Sequence, residues 1–522
     1  MIKRLRPLNI LFVLLIISST AIGQNINIAW GKLNRPEKRA VSFNILGERQ
    51  GGIFVAKSDK KKNWYIERYG YDDLTIDFTR DVDFSLKKNS KSKKDRLDYE
   101  KVLLLDETII FFATKYDKKA KQFNLFARIY NFEGKPEGKW EKIEYIQGEK
   151  KRRKGDFNVQ VSEDKKRFLV EKALPTKKKE VETFSFVIFD NQLVQVFAKE
   201  EVKLKFKAED ADIKGHRISK DNKVYFLAPT TTGASLYSFD INESAAGNDE
   251  LREYKVELGE GKQTGESAFS FDPEGNILVA GFFSDAKTKY GGIAGSYFIK
   301  LNPENFDPLV KSSNLFDKEF LLNFMSERRV RKGKTGLSSN FDMRHFVTKA
   351  DGGVILLAEN TYMIEHCSKS NPVAGAGAIT VSVNSCYYTY HHDEVIVINM
   401  NPDGSTKYNG LVKKRGNSRN PADGNLSYSI LPTGNNLIMF YNDHYKNLKA
   451  GNTKVRYLPK YRKRALAMAN ISDDGDITKE QLIRHKEIKL EVLPRYTVRT
   501  DKGLIMLGYY KKAIKLGRFE ID

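Results

Sequence analysis

Eight times along this chain the same phrase recurs: a short alternating strand, a tight turn, then a run of apolar residues. The copies read NILGERQGGIFVAK (44–57), LLLDETIIFFAT (103–114), VSEDKKRFLV (161–170) and ISKDNKVYFLA (218–228). They continue as FSFDPEGNILVAG (269–281), FVTKADGGVILLAE (346–359), SILPTGNNLIMFY (429–441) and TVRTDKGLIMLGYY (497–510). Successive copies start about 50 to 85 residues apart. That period suits propeller blades carrying loop insertions better than helical repeats.

A second element follows each copy, as in NWYIERYGYDD (63–73), NLFARIYNFEGK (124–135) or EVIVINMNPDGS (394–405). A blade therefore reads strand a, turn, strand b, loop, strand c, turn, strand d. Turns such as Asp272–Gly275 and Asn401–Gly404 suit the a–b and c–d links, because Pro presets one dihedral and Gly accepts positive φ. The fold class is all-β: a β-propeller of eight blades of four antiparallel strands, with seven as the alternative. The eighth copy has only three strands before Asp522, and INIAWGKLNR (26–35) supplies the outer strand that closes the ring.

The repeats resemble those of bacterial exported propellers of the TolB-associated, WD40-like group, whose hairpin reads Ser-Pro-Asp-Gly-Lys before an apolar strand. VSEDKKRFLV and ISKDNKVYFLA carry that likeness, while FDPEGNILVAG is similar to the delta-60 type of repeat. The resemblance implies the fold and export, and no particular activity. The Trp-rich blade motif of quinone-dependent propeller dehydrogenases is absent, as is the Ser-x-Asp-x-Gly-x-Thr-Trp box of sialidase-type propellers.

The domain organisation is correspondingly simple. Residues 1–23 read as a signal peptide: basic MIKRLRP, the short apolar run NILFVLLII, and Ala21-Ile22-Gly23 before a cut at Gln24. Residues 24–522 form one propeller domain, exported to the periplasm or secreted, with no transmembrane segment once the leader is removed. A helical insertion is expected near 316–334, where Phe316, Phe320, Leu321 and Phe324 recur at helical spacing. A Cys-bracketed loop is expected near 360–392, with Cys367 and Cys386 paired as a disulfide.

The formal charge is +22, and the leader removes only Lys3, Arg4 and Arg6. Antiparallel order puts b–c and d–a loops on one face and a–b and c–d turns on the other. The first set is rich in lysine and arginine, as in LKKNSKSKKDR (86–96) and VKKRGNSR (412–419). The second reads DET, GYDD, DPEGN, NPENFD and ISDDGD. One face is therefore basic, and such a face concentrates anions. The candidate contacts are Lys177, Lys178 and Lys179 in blade three, and Lys454, Arg456, Tyr457, Lys460, Tyr461, Arg462, Lys463 and Arg464 in blade seven. Arginine and aromatic rings together suit stacking on sugars or bases and pairing with phosphate or sulfate.

Four of the seven histidines, His366, His391, His392 and His444, fall near one another and are weak metal candidates. Their spacing matches no ligand motif. No G-x-S-x-G, H-E-x-x-H, C-x-x-C or P-loop is present, so no catalytic residue and no cofactor is assigned. The expected function is a non-enzymatic exported propeller binding an acidic glycan, lipopolysaccharide or an acidic protein surface, rather than intracellular nucleic acid. The alternatives are an envelope hydrolase or lyase acting on an anionic polysaccharide, and a scaffold subunit of an envelope complex.

Overall fold

A computed structural model describes residues 26–521 except 34–39, 88–91, 93, 149–153, 211–212, 220, 231–232, 246–249, 287–291, 370–383, 422, 450–454 and 511–512. The expected signal peptide lies outside the described residues, as does Lys454. Eight antiparallel sheets follow one another along the chain, at 40–82, 98–147, 156–207, 214–256, 262–315, 341–418, 428–484 and 491–521. Each contains four strands paired in the order a-b-c-d, and the sixth carries an additional short strand, Gly416–Ser418. The last sheet borrows its outer strand from the amino-terminal end: Ile26–Trp30 pairs antiparallel with Ala513–Ile521. Eight blades, not seven, are present, and the terminal strand sits where the sequence places it.

Strand b of each sheet explains the packing. Its apolar run is buried on both faces, as in Ile53–Ala56, Ile109–Ala113 and Val354–Ala358, all 2% exposed or less. A strand whose two faces are both apolar needs a neighbour on each side. Eight apolar clusters among the described residues provide this, each shared by two consecutive sheets. Phe54 and Ile66 of the first sheet meet Phe111 and Tyr130 of the second. At the other end of the order, Val55 and Tyr69 of the first sheet meet Ile505 and Leu516 of the eighth. Several innermost strands carry a register shift against strand b, at Ile45/Gly47, Tyr99/Lys101, Thr264/Ser267 and Met343/His345. Bulges of this kind bend and twist a strand locally.

Two insertions differ from their sequence reading. The segment 316–334 is a pair of single-turn helices, Lys318–Leu321 and Glu327–Arg331, rather than one helix. Asp317 caps the first by accepting from the Phe320 amide at 2.7 Å, and Phe316, Phe320 and Leu321 are buried between the fifth and sixth sheets. The described residues of the Cys-bracketed segment are strand rather than loop. Strands b and c of the sixth sheet, Val354–Lys369 and Asn384–Met400, continue as a two-stranded arm well past the eight or nine residues usual for strand b elsewhere. Thr361, Tyr362, Ile364, Tyr387, Tyr388, Thr389 and Tyr390 give the arm the β-branched and aromatic content that strands favour.

The tight turns use glycine as expected, with φ of 89° at Gly275 and 80° at Gly404. Their surroundings differ. A Cβ at Gly275 meets nothing, whereas one at Gly404 would lie 2.4 Å from Ser312 Oγ of the fifth sheet. Gly404 carbonyl oxygen also accepts from Ser312 and from Asn314 Nδ2 at 2.8 Å. Gly275→Ala should cost about 1 kcal/mol from backbone strain alone, and Gly404→Ala about 2–3 kcal/mol because the fifth and sixth sheets must also part. Urea unfolding of the two variants measures the difference.

Candidate functional site: the arm of the sixth sheet

Side chains directly opposite in an antiparallel pair share a face, so the arm has two distinct sides. One presents Tyr362 opposite His391, Ile364 opposite Thr389, and His366 opposite Tyr387. On this side Tyr362 stacks on His391 with ring centroids 4.5 Å apart, and His366 on Tyr387 at 4.8 Å. Thr389 Oγ1 joins the two stacks, 2.8 Å from His366 Nε2 and 3.2 Å from His391 Nε2. The other side carries Met363, Glu365 and Tyr388, with the Tyr388 hydroxyl donating to Glu365 at 2.9 Å. Cys367 and Cys386 are paired in a disulfide near the tip, as the sequence predicts.

The base of the arm is buried and polar. Glu359, fully buried, pairs with His392 Nδ1 at 2.8 Å and with Lys414 Nζ at 2.6 Å. Burial alone would raise its pKa, but Lys414 and His392 outweigh that and hold it near about 2. Lys414 also donates to the His392 carbonyl at 3.0 Å, and the short strand Gly416–Ser418 pairs with Tyr390–His392. Tyr362 donates to Asp393 at 2.8 Å. An exposed two-stranded ribbon is marginal in water. Here a third strand, an ion cluster and a disulfide fix it at both ends.

Two arginines lie against this platform. Arg419 sits 4.0 Å from the centroid of the Tyr387 ring and Arg415 5.5 Å from that of Tyr457, a residue of the seventh sheet whose ring also meets His391. Both arginines are exposed, and neither guanidinium has a hydrogen bond or ion pair among the described residues. Tyr387 and Tyr457 remain 42% and 44% exposed. The arrangement sets half-exposed rings beside positive charge that has no carboxylate partner among the described residues.

The residues named from sequence divide. Tyr457, Lys460, Arg462 and Lys463 are exposed on the b–c loop of the seventh sheet, where the Tyr457 ring meets His391 of the arm. Three others are engaged by the protein itself. Arg464 donates to the Pro459 carbonyl at 3.1 Å and lies 3.5 Å from Glu491; Tyr461 donates to the His485 carbonyl at 2.8 Å; Arg456 exchanges backbone hydrogen bonds with the Asn447 side chain. Lys177, Lys178 and Lys179 are exposed on the third sheet, with Lys177 paired to Glu180. That sheet is four places from the seventh in either direction, so the two lysine groups do not form one patch. Arg415 and Arg419 were missed as individual contacts, although the 412–419 run is basic in the sequence. Only the arm's position gives them rings to lie on.

The four histidines are not gathered into one ligand set. His366 and His391 share Thr389, His392 turns to Glu359, and His444 accepts from the Lys446 amide at 3.0 Å as a helix cap. The one group with metal-ligand spacing among the described residues is Glu365 with Cys367 and Cys386, whose sulfurs are joined to each other.

The opposite face spends much of its acid on its own architecture. Asp272 accepts from the amides of Glu274 and Asn276 and pairs with Lys300 at 2.8 Å. Other turn acids bridge neighbouring sheets: Asp106 to Arg49 at 3.0 Å, Glu304 to Lys223 at 2.8 Å, Asp473 to Lys407 at 2.7 Å.

No family model matches the chain, and no curated protein does. Among solved structures, the chain is similar to the Dos1 propeller, at 8% identity over 94% of this chain and 95% of that one, with a TM-score of 0.45. It is also similar to the β-propeller domain of the Trilobed protease from Pyrococcus furiosus, at 10% identity over 81% and 93%, TM-score 0.33. A europium-containing methanol dehydrogenase matches at 9% identity over 93% and 85%, TM-score 0.37. These neighbours include enzymes, and likeness at this level carries no argument about role.

Two predictions follow from the site and its surroundings. Reduction of the Cys367–Cys386 bridge should speed amide exchange at Met363–His366 and Tyr387–Thr389 by tenfold or more while leaving Ile53–Ala56 protected, as read by hydrogen–deuterium exchange. Burial holds His485 near about 3 and His345 near about 4, so both fold as neutral rings. The unfolded chain binds their protons from about pH 6.5 downward. Stability should therefore fall between pH 6.5 and pH 5 by about 2 kcal/mol for each, and His485→Gln should flatten that slope in denaturant titrations.

Proposed function

We propose that the protein is an exported, non-enzymatic propeller that binds an acidic glycan across the arm of the sixth sheet and the adjoining loop of the seventh. The observation that carries this reading is the pair of exposed guanidiniums of Arg415 and Arg419. They lie over Tyr457 and Tyr387 and have no carboxylate of their own among the described residues. Sugar rings present apolar C–H faces to aromatic rings, and uronate or sulfate groups pair with arginine. Lys460, Arg462 and Lys463 add exposed positive charge on the adjoining loop of the seventh sheet. Export accords with the disulfide, which persists in oxidising compartments. A lipopolysaccharide phosphate or an acidic protein would use the same cations with less use of the ring faces.

The test is binding of the chain from Gln24 onward to polygalacturonate, heparin, lipopolysaccharide and poly-glutamate at 50 and 200 mM salt. Polygalacturonate or heparin should bind best, and at least tenfold more weakly at the higher salt. Arg415→Glu with Arg419→Glu should lower the affinity by a further factor of ten or more, with the melting temperature unchanged. Equal binding by this variant would move the partner elsewhere on the protein.

One observation favours the alternative of an envelope hydrolase or lyase. Glu48 and Asp501 line a cavity of about 580 Å³ at the centre of the sheets, and burial followed by the charge of Asp501 raises the Glu48 pKa. Two carboxyl groups sharing one hollow, one of them with its pKa raised, form an arrangement used for general acid chemistry. Release of reducing ends or unsaturated uronates from the polysaccharide that binds, abolished by Glu48→Gln, would select this reading.

A further inference from the structure

The innermost strands and their turns surround a second, larger cavity of about 770 Å³, lined by the fifth to eighth sheets. It lies at the a–b turn end of the molecule, away from the arm, and its volume is in the range of small-molecule sites. Arg499, on strand a of the eighth sheet, lines both this cavity and the one beside Glu48.

The other charged groups of the wall are already compensated. Asp272 is held by Lys300 at 2.8 Å. Lys349 is held by Asp351 at 3.1 Å and lies 4.0 Å from Asp473. Burial keeps the His345 ring neutral through the physiological range. Arg499 is exposed to the cavity and has no hydrogen bond or ion pair among the described residues. Two hydroxyls of the same wall, those of Ser429 and Thr348, also have no protein partner among the described residues, and Ser429 is only 7% exposed. The rest of the lining is largely apolar, with Phe271, Phe346, Ile430 and Leu504.

Among the described residues, a hollow of this kind has one cation and two hydroxyls without a protein partner, beside largely apolar side chains. A polymer of sugar acids has no apolar body to match those walls, and a neutral hydrocarbon leaves the guanidinium unpaired. We infer that the central cavity is a binding site for a small organic carboxylate with an apolar ring or chain. The carboxylate pairs with Arg499 and the apolar body lies against Phe271, Phe346 and Ile430. Charge-assisted hydrogen bonds from a guanidinium with no carboxylate of its own in the wall favour such a pair. The site is independent of the arm and of the glycan proposed there.

The test uses the folded chain and the fluorescence of 1-anilinonaphthalene-8-sulfonate, an aromatic anion of suitable size. One saturable site should appear, displaced by cyclohexanecarboxylate and at least tenfold less well by cyclohexylmethanol. Arg499→Gln should weaken the probe tenfold or more, while Arg415→Glu with Arg419→Glu, which disables the arm, should leave it unchanged. Unaltered probe binding by Arg499→Gln would overturn the assignment. So would displacement by the alcohol as readily as by the acid, a comparison made on the unmodified protein that does not depend on any variant folding.

Discussion

Burial of both faces of every sheet is the constraint on which the rest of the structure depends. A sheet with one apolar face can lie on a layer of helices or on one partner. A sheet whose central strands read Ile-Phe-Val-Ala or Ile-Ile-Phe-Phe-Ala needs a partner on each side, and so does that partner. Stacking in a line would leave an apolar face bare at each end. The apolar cluster between the first and eighth sheets removes both at once. The work of the loops is then free of the core: connections project from the two ends of the strands and vary in length and charge without disturbing the packing.

The two ends use their charge differently. At the a–b end, carboxylates close their own turns and reach basic partners on the next sheet, so acid and base are matched locally. Exposed pairs of this sort contribute little stability each. At the other end, cations such as Arg415 and Arg419 lie on aromatic rings rather than on carboxylates. The turn carboxylates and these two loop cations thus differ in how they are paired, and Arg499 is an exception at the a–b end.

The repeats, the glycine turns at Gly275 and Gly404, the disulfide and the amino-terminal strand were all legible in the sequence because each depends on local pattern. Tight turns and alternating strands leave marks within a dozen residues. The arm was not, because a cysteine-bracketed stretch with a Gly/Ala tip looks like a loop, while its strand character resides in the flanking threonines and tyrosines. Nor does composition tell an exposed arginine from a structural one. Arg462 and Arg464 are two residues apart, yet the first reaches water and the second is bound to the Pro459 carbonyl. Arg499 is one more charge on an alternating strand until eight sheets place it at the centre.

The outer strand of the eighth sheet is made before its three partner strands and must wait for them. Ile26–Trp30 leaves the ribosome before any of the sheets, yet its partner Ala513–Ile521 belongs to the final segment of the described chain. The entropic cost of closing so long a loop grows only with the logarithm of its length. The delay does not shrink in that way. Throughout synthesis the first sheet lacks the neighbour that will cover its Val55 and Tyr69 face, and the amino-terminal strand has nothing to pair with. Assembly of the last interface thereby waits for Ala513–Ile521, and a nascent protein of this design remains open until that strand arrives.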